Sequence, residues 1–170
     1  DPYGDPSMGA NGEALLTLPD GASVSGSGAA ITAPVRAASP LTAAPIAGLS
    51  QPGPNGVLPM IAPDGRVPAQ AYARPFRPNG KPRVALIVGG LGLNAVTTRA
   101  AIERLPPEVT LSFVPYADGL QGWINMARAQ GHEVMLEVPM EPTGYPNSDP
   151  GPQTLLKSAS AEDIQARMNW

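Results

Sequence analysis

Arg83-Val-Ala-Leu-Ile-Val-Gly-Gly-Leu-Gly92 decides how this chain folds. Residues 84–88 are continuously apolar and rich in β-branched side chains, as a parallel strand covered on both faces must be. The glycines at 89, 90 and 92 then read as a loop. Asn94 is placed to cap a helix whose inner side is Ala95, Thr98, Ile102 and Leu105, ending before Pro106-Pro107. The pattern repeats. Residues 109–113, Val-Thr-Leu-Ser-Phe, read as a second strand, and Asp118 with Gln121 has the form of a capping box. Leu120, Trp123, Ile124 and Ala127 lie on one face of the helix behind it, which Gly131 stops. Residues 133–138 are the third strand, and Ser160 with Asp163 opens a last helix with Ile164 and Met168 on its apolar side. Strand-loop-helix units of this size build an α/β fold with a parallel sheet.

The preceding sequence has a different character. Residues 1–80 hold 13 of the 22 Pro and 11 of the 19 Gly, and aperiodic Pro and Gly at about 30% keep a chain irregular. Residues 1–47 are expected to be a Pro/Ala/Gly/Ser-rich disordered linker, with a short strand at 14–18 running into the turn Pro19-Asp-Gly21 as its one ordered feature. Residues 48–80 contain the turn sequences Pro54-Asn-Gly56 and Pro63-Asp-Gly65. They also hold apolar residues at 57–58, 60–61 and 72–76, expected to dock an extended arm on the domain at 81–170. Three strands cannot finish a sheet covered on both faces, and a complete (β/α) barrel takes about 200–250 residues. The expectation is therefore a parallel barrel truncated to about three βα units behind a long irregular segment.

Composition excludes several functions. The net charge is −3, only 15% of residues are charged, and no Lys/Arg run exists to neutralise a phosphate backbone, so nucleic acid is not an expected partner. Without cysteine there is no disulfide, thiolate zinc site or cysteine nucleophile. The longest apolar run, residues 84–88, is far too short to span a bilayer. The chain starts at Asp1 and reads as an internal fragment, so membrane anchoring is expected only through a segment upstream.

Ligands of parallel α/β folds sit beyond the carboxyl ends of the strands, here the loops at 89–93, 115–119 and 139–159. The first is not G-x-G-x-x-G and has no P-loop lysine, so it reads as a tight turn rather than a phosphate cradle. Alternation on the third strand puts Glu133, Met135 and Glu137 on one face. Acids there require water, metal or a polar site, and Glu137 with Glu141 is the pair best placed to line a pocket. The only histidine, His132, follows a helix-ending glycine and is expected to satisfy the last carbonyls of that helix, a structural role. No Ser/His/Asp set is legible, and Trp123 reads as core.

Residues 83–92, 105–116 (Leu-Pro-Pro-Glu-Val-Thr-Leu-Ser-Phe-Val-Pro-Tyr), 131–142 (Gly-His-Glu-Val-Met-Leu-Glu-Val-Pro-Met-Glu-Pro) and 144–152 (Gly-Tyr-Pro-Asn-Ser-Asp-Pro-Gly-Pro) resemble, in this order, the divergent polysaccharide deacetylase family. The resemblance covers about residues 83–170, the N-terminal half of such a domain. It implies a (β/α)7-type barrel and a place among metal-dependent carbohydrate deacetylases. It also implies a periplasmic or inner-membrane-anchored protein of the cell envelope, with an envelope glycan or protein as partner.

Active members of the wider superfamily carry an Asp pair after the first strand and two His four residues apart. Here the Asp pair falls on Gly89 and Gly90, and the His positions fall on Glu137 and Glu141. The resemblance therefore implies a divalent metal at Glu137 and Glu141, of a harder kind than zinc, but no base. Tyr116, Pro139, Met140, Tyr145 and Asp149 are expected to line the pocket. Two readings follow: a hydrolase removing acetyl groups from glycans, or a catalytically inactive barrel that binds a glycan or an envelope protein.

Overall fold

The computed structural model describes residues 14–17, 23–26 and 39–170. The chain divides into two compact units, Asp1–Val35 and Arg36–Trp170. In the first, β1 (Ala14–Thr17) pairs antiparallel with β2 (Ser23–Gly26), Ala14 opposite Gly26 and Thr17 opposite Ser23. The strand expected there is thus half of a hairpin. The rest of the expected linker up to residue 38 lies outside the described residues.

The second unit is built on a parallel sheet of β5 (Ile87–Leu91), β6 (Thr110–Phe113) and β7 (Val134–Leu136), in the order β5-β6-β7. The helices α2 (Ala95–Arg104) and α3 (Leu120–Ala129) form the two crossovers, and α4 (Ala161–Met168) follows a long loop. Leu91, Ile102, Val109, Leu111, Phe113 and Ala127 make the core, with Leu105, Leu120 and Trp123 packed against it. Each fully buried Leu, Ile or Phe here contributes roughly 1.5–3 kcal/mol, which is what fixes α2 and α3 on the sheet. The sheet of the described residues has three strands and does not close. A barrel needs strands on both sides of every strand, so these residues form a partial α/β domain with the expected three parallel strands, and no closed barrel is present among them.

Three local expectations shift. The first strand runs over 87–91 instead of 84–88, because Leu91 is in the core and Val114 N–H donates to its carbonyl. The pairing shifts register between Val88 and Leu91, with Gly90 at φ +71 absorbing the irregularity. Upstream, Val84 is 84% and Leu86 61% exposed, since β6 begins only at Thr110 and leaves residues 84–86 almost without a partner. The capping box of α3 does not form. Its N-cap is Gly119 in left-handed conformation, one residue past Asp118, and Gln121 donates instead to Asn125. By contrast Asn94 accepts from Thr97 N–H and Ser160 from Asp163 N–H, as their spacing requires.

Residues 41–74 are held on this unit. The hairpin of β3 (Ser50–Pro52) and β4 (Val57–Pro59) turns through residues 54–56, and a short helix, α1 (Pro68–Ala71), follows. Leu49 and Ala62 are buried, whereas Val57, Ile61 and Phe76 face solvent. The anchor is Arg128, 4% exposed. Its backbone carbonyl accepts from Leu41 N–H, its Nε donates to the Thr42 carbonyl (2.6 Å), and its guanidinium lies 5.2 Å over the Tyr72 ring. Ile46 N–H donates to Tyr72 Oη, Arg74 N–H to Glu133 Oε1, and Arg74 Nη1 to the Gly131 carbonyl. Burial pushes the Arg128 pKa down, partly offset by Tyr72 and Glu133. These bonds are what make a buried cation tolerable.

Candidate functional site at the strand ends

The carboxyl ends of β5 and β7 meet through one side chain. Glu137 continues the ladder, its N–H donating to the Phe113 carbonyl, and its carboxylate reaches past β6 to accept from Gly90 N–H at 2.6 Å. A Cβ built on Gly89 would stand 2.9 Å from Glu137 Oε1. The two glycines, expected in the loop after the first strand, and this glutamate, expected at the end of the third, are therefore one local structure, and the glycines belong to β5 rather than to the loop after it.

Glu141 is used differently. Its N–H donates to the Leu155 carbonyl, Leu155 N–H donates back to the Pro139 carbonyl, and Met140 pairs with Leu155 as an isolated parallel bridge. The Glu141 carboxylate accepts from the Lys157 backbone N–H at 2.9 Å and pairs with Lys157 Nζ at 3.3 Å. The Lys157 backbone donor, aided by its ammonium, holds the Glu141 carboxyl below the usual carboxylate range against a smaller opposing effect of desolvation. Lys157 was not legible as a site residue: it lies in an irregular loop 16 positions from its partner.

Two of the remaining expected pocket residues, Tyr116 and Asp149, fall into a second cluster. Tyr116 Oη accepts from Gln153 N–H at 2.9 Å, and its ring stands 5.6 Å from that of Trp170, tilted by 46°. A Cβ on Gly151 (φ +126) would lie 2.4 Å from this ring, so glycine is required there. Asp149 accepts from Gly151 N–H, which shapes the turn. Arg167 of α4 donates to the Pro152 and Thr154 carbonyls and ties the loop down. Tyr145 and Met140 are exposed. Trp170, Gln153 and Arg167 lie outside the motifs and carried no signal in the sequence.

His132 is 1% exposed, and its ring faces the carbonyls of Val109 (Nδ1, 2.8 Å) and Ile102 (Nε2, 3.0 Å). The expected ring contact with the end of the preceding helix is made instead by its backbone N–H, donating to the Ala127 carbonyl. The ring ties the end of α2 to the start of β6.

Against this geometry the sequence comparison decides the family. The model of the divergent polysaccharide deacetylases matches residues 86–170. The chain belongs to the divergent polysaccharide deacetylase family. It is similar to an uncharacterized protein from Agrobacterium tumefaciens C58, whose crystal structure matches at 46% identity with a TM-score of 0.64. The match covers 66% of this chain and 46% of that one, so the chain spans less than half of that relative's length. No curated protein matches it. No helix among the described residues is long and apolar enough to cross a membrane.

For a divergent polysaccharide deacetylase, the metal implied by the wider superfamily can be tested on the donors. Among the described residues no three His, Cys, Asp or Glu side chains come together. Glu137 is engaged by Gly90 and Glu141 by Lys157, while positions 89 and 90 supply no side chain. Among the described residues the donors do not fit a divalent ion. What these residues offer is carboxylate and backbone hydrogen bonding at the strand ends and, separately, the exposed Tyr145 and the Tyr116–Trp170 ring pair. A cavity of about 480 Å³ lies elsewhere, between α3, β7 and residues 68–73, and contains none of these strand-end groups.

Proposed function

We propose that this divergent polysaccharide deacetylase-like chain is the glycan-recognising part of a cell-envelope protein facing the periplasm, and that it binds sugar without metal-dependent acetyl hydrolysis. The observation that carries this reading is the Glu137 carboxylate on Gly90 N–H, in the space above Gly89. Acetyl hydrolysis in the superfamily needs an acid after the first strand to take a proton from the attacking water. Here that place holds a carboxylate already bonded to backbone, beside two residues with no side chain. A sugar ring asks for less: hydroxyl acceptors and donors with an apolar face nearby. Glu137 supplies an acceptor at the strand ends, and Tyr145 and the Tyr116–Trp170 pair supply aromatic faces on the segments that follow.

The test is a pair of measurements on the full-length protein, with acetylated chitooligosaccharides and acetylated peptidoglycan fragments as probes. Saturable binding that persists in EDTA and weakens in Glu137→Ala is expected, with no acetate released whether Mg²⁺, Mn²⁺ or Zn²⁺ is added. Metal-dependent acetate release lost in Glu137→Ala and Glu141→Ala would replace the binding reading with the hydrolytic one.

A further inference from the structure

Positions 89 and 137 compete for one volume. Gly89 lies in β5 and Glu137 just beyond β7, on either side of β6 in the strand order. The Glu137 side chain closes the gap left between them at the strand ends; aspartate is one methylene shorter. At the far end Oε1 makes a short bond to Gly90 N–H, 2.6 Å, of the charge-assisted kind. That oxygen lies 2.9 Å, and the carboxyl carbon 3.9 Å, from where a Cβ on Gly89 would be, and side-chain carbons essentially never approach closer than 3.0 Å. The neighbouring glycine has no such conflict, since nothing lies within 4 Å of a Cβ on Gly90, although its φ of +71 favours glycine on conformational grounds.

We infer that Glu137 is a positioning residue that delivers to the end of β5 the carboxylate position 89 does not carry, and that this carboxylate and any side chain at 89 exclude each other. The glycine is thus the condition for Glu137 to reach Gly90. Because the atom in the way is the far end of a side chain, a methyl at 89 is accommodated by swinging Glu137 aside, so the loss appears at Gly90 rather than in global stability. Among the described residues Gly90 is the sole hydrogen-bond partner of the Glu137 carboxylate. Once displaced it has no second anchor. The inference holds whether or not the site binds a glycan, because it concerns only the free chain.

Amide hydrogen exchange at Gly90, with Leu111 as internal reference, tests it in the full chain. Leu111 N–H donates to the Glu133 carbonyl within the sheet and reports on the fold as a whole. Glu137→Ala is expected to speed exchange at Gly90 about tenfold, the loss of one charge-assisted bond, with Leu111 unchanged. Gly89→Ala is expected to do the same with Glu137 intact, and the double variant to go no further than either single one. Glu137→Gln, which keeps the length and an oxygen acceptor, should retain most of the protection, whereas Glu137→Asp should behave like alanine. Wild-type exchange at Gly90 in Gly89→Ala, or effects that multiply in the double variant, would overturn the inference. Glycan binding lost with these couplings intact would instead bear only on the proposed function.

Discussion

Two glutamates bracket β7 on the same face, and their surroundings differ. Glu133, before the strand, accepts from Arg74 of the preceding segment and acts on the buried Arg128 cation; Glu137, after it, accepts from an exposed glycine. One end of the strand is where residues 41–74 are fastened, and polar groups there have protein partners. The other end is open, and its carboxylate has an oxygen to spare. In a parallel sheet the two ends of one strand divide the work, stability at the amino end and ligand chemistry at the carboxyl end.

Breaking the amino end should cost most. Arg128→Ala removes a buried cation from the Thr42 and Tyr72 carbonyls and is expected to lower unfolding free energy by about 3 kcal/mol, read by urea denaturation. If that loss stays under about 1 kcal/mol, the contrast between the ends disappears. Gly151→Ala, at the carboxyl end, drives a Cβ into the Tyr116 ring at a left-handed φ. A loss of about 2 kcal/mol is expected, with quenching changes in Trp170 fluorescence as the local readout. Glu133→Ala should cost about 1 kcal/mol by leaving Arg74 N–H unpaired, and should free the 41–74 segment to limited proteolysis without altering exchange at Gly90.

The smallest effect sharpens the carboxyl end by pH. The Glu141 carboxyl is depressed below its ordinary 4.5, so its contribution to stability is full above that value and is lost as pH falls through the lowered one. The difference in unfolding midpoint between wild type and Glu141→Gln should therefore vanish on acidification. Since the Lys157 backbone N–H is the largest cause, Lys157→Ala should leave most of the depression in place when the Glu141 carboxyl carbon is followed by NMR. A return to the ordinary value would mean that the ammonium, not the backbone, sets it.

Much of the α/β unit was legible because its signals are local. Asn94 and Ser160 cap where their spacing places them, and Ile102, Trp123 and Ala127 fall on the helical faces that the 3.6-residue period selects. Strand limits were not, since they depend on partners: Leu91 joins β5 because β6 and the core receive it, a fact no window of sequence holds. The site was half legible for the same reason. Glu137 and Gly89 stood out singly, but that they touch follows from strand order, and Lys157 finds Glu141 only through the fold of an irregular loop. His132 was expected to serve the helix it follows, whereas its ring lies between the carbonyls of Val109 and Ile102, outside that helix.

The Arg128 clasp bears on where such a protein should be cut. Composition changes at Arg83, the natural place for an expression boundary, yet among the described residues backbone ties to α3 begin at Leu41. A fragment started at the compositional border would keep every family motif and strand. It would also strip a buried guanidinium of Thr42 and Tyr72, its carbonyls and its aromatic neighbour. The motifs mark what is shared with relatives; the physical domain begins some forty residues earlier, in sequence that looks like spacer.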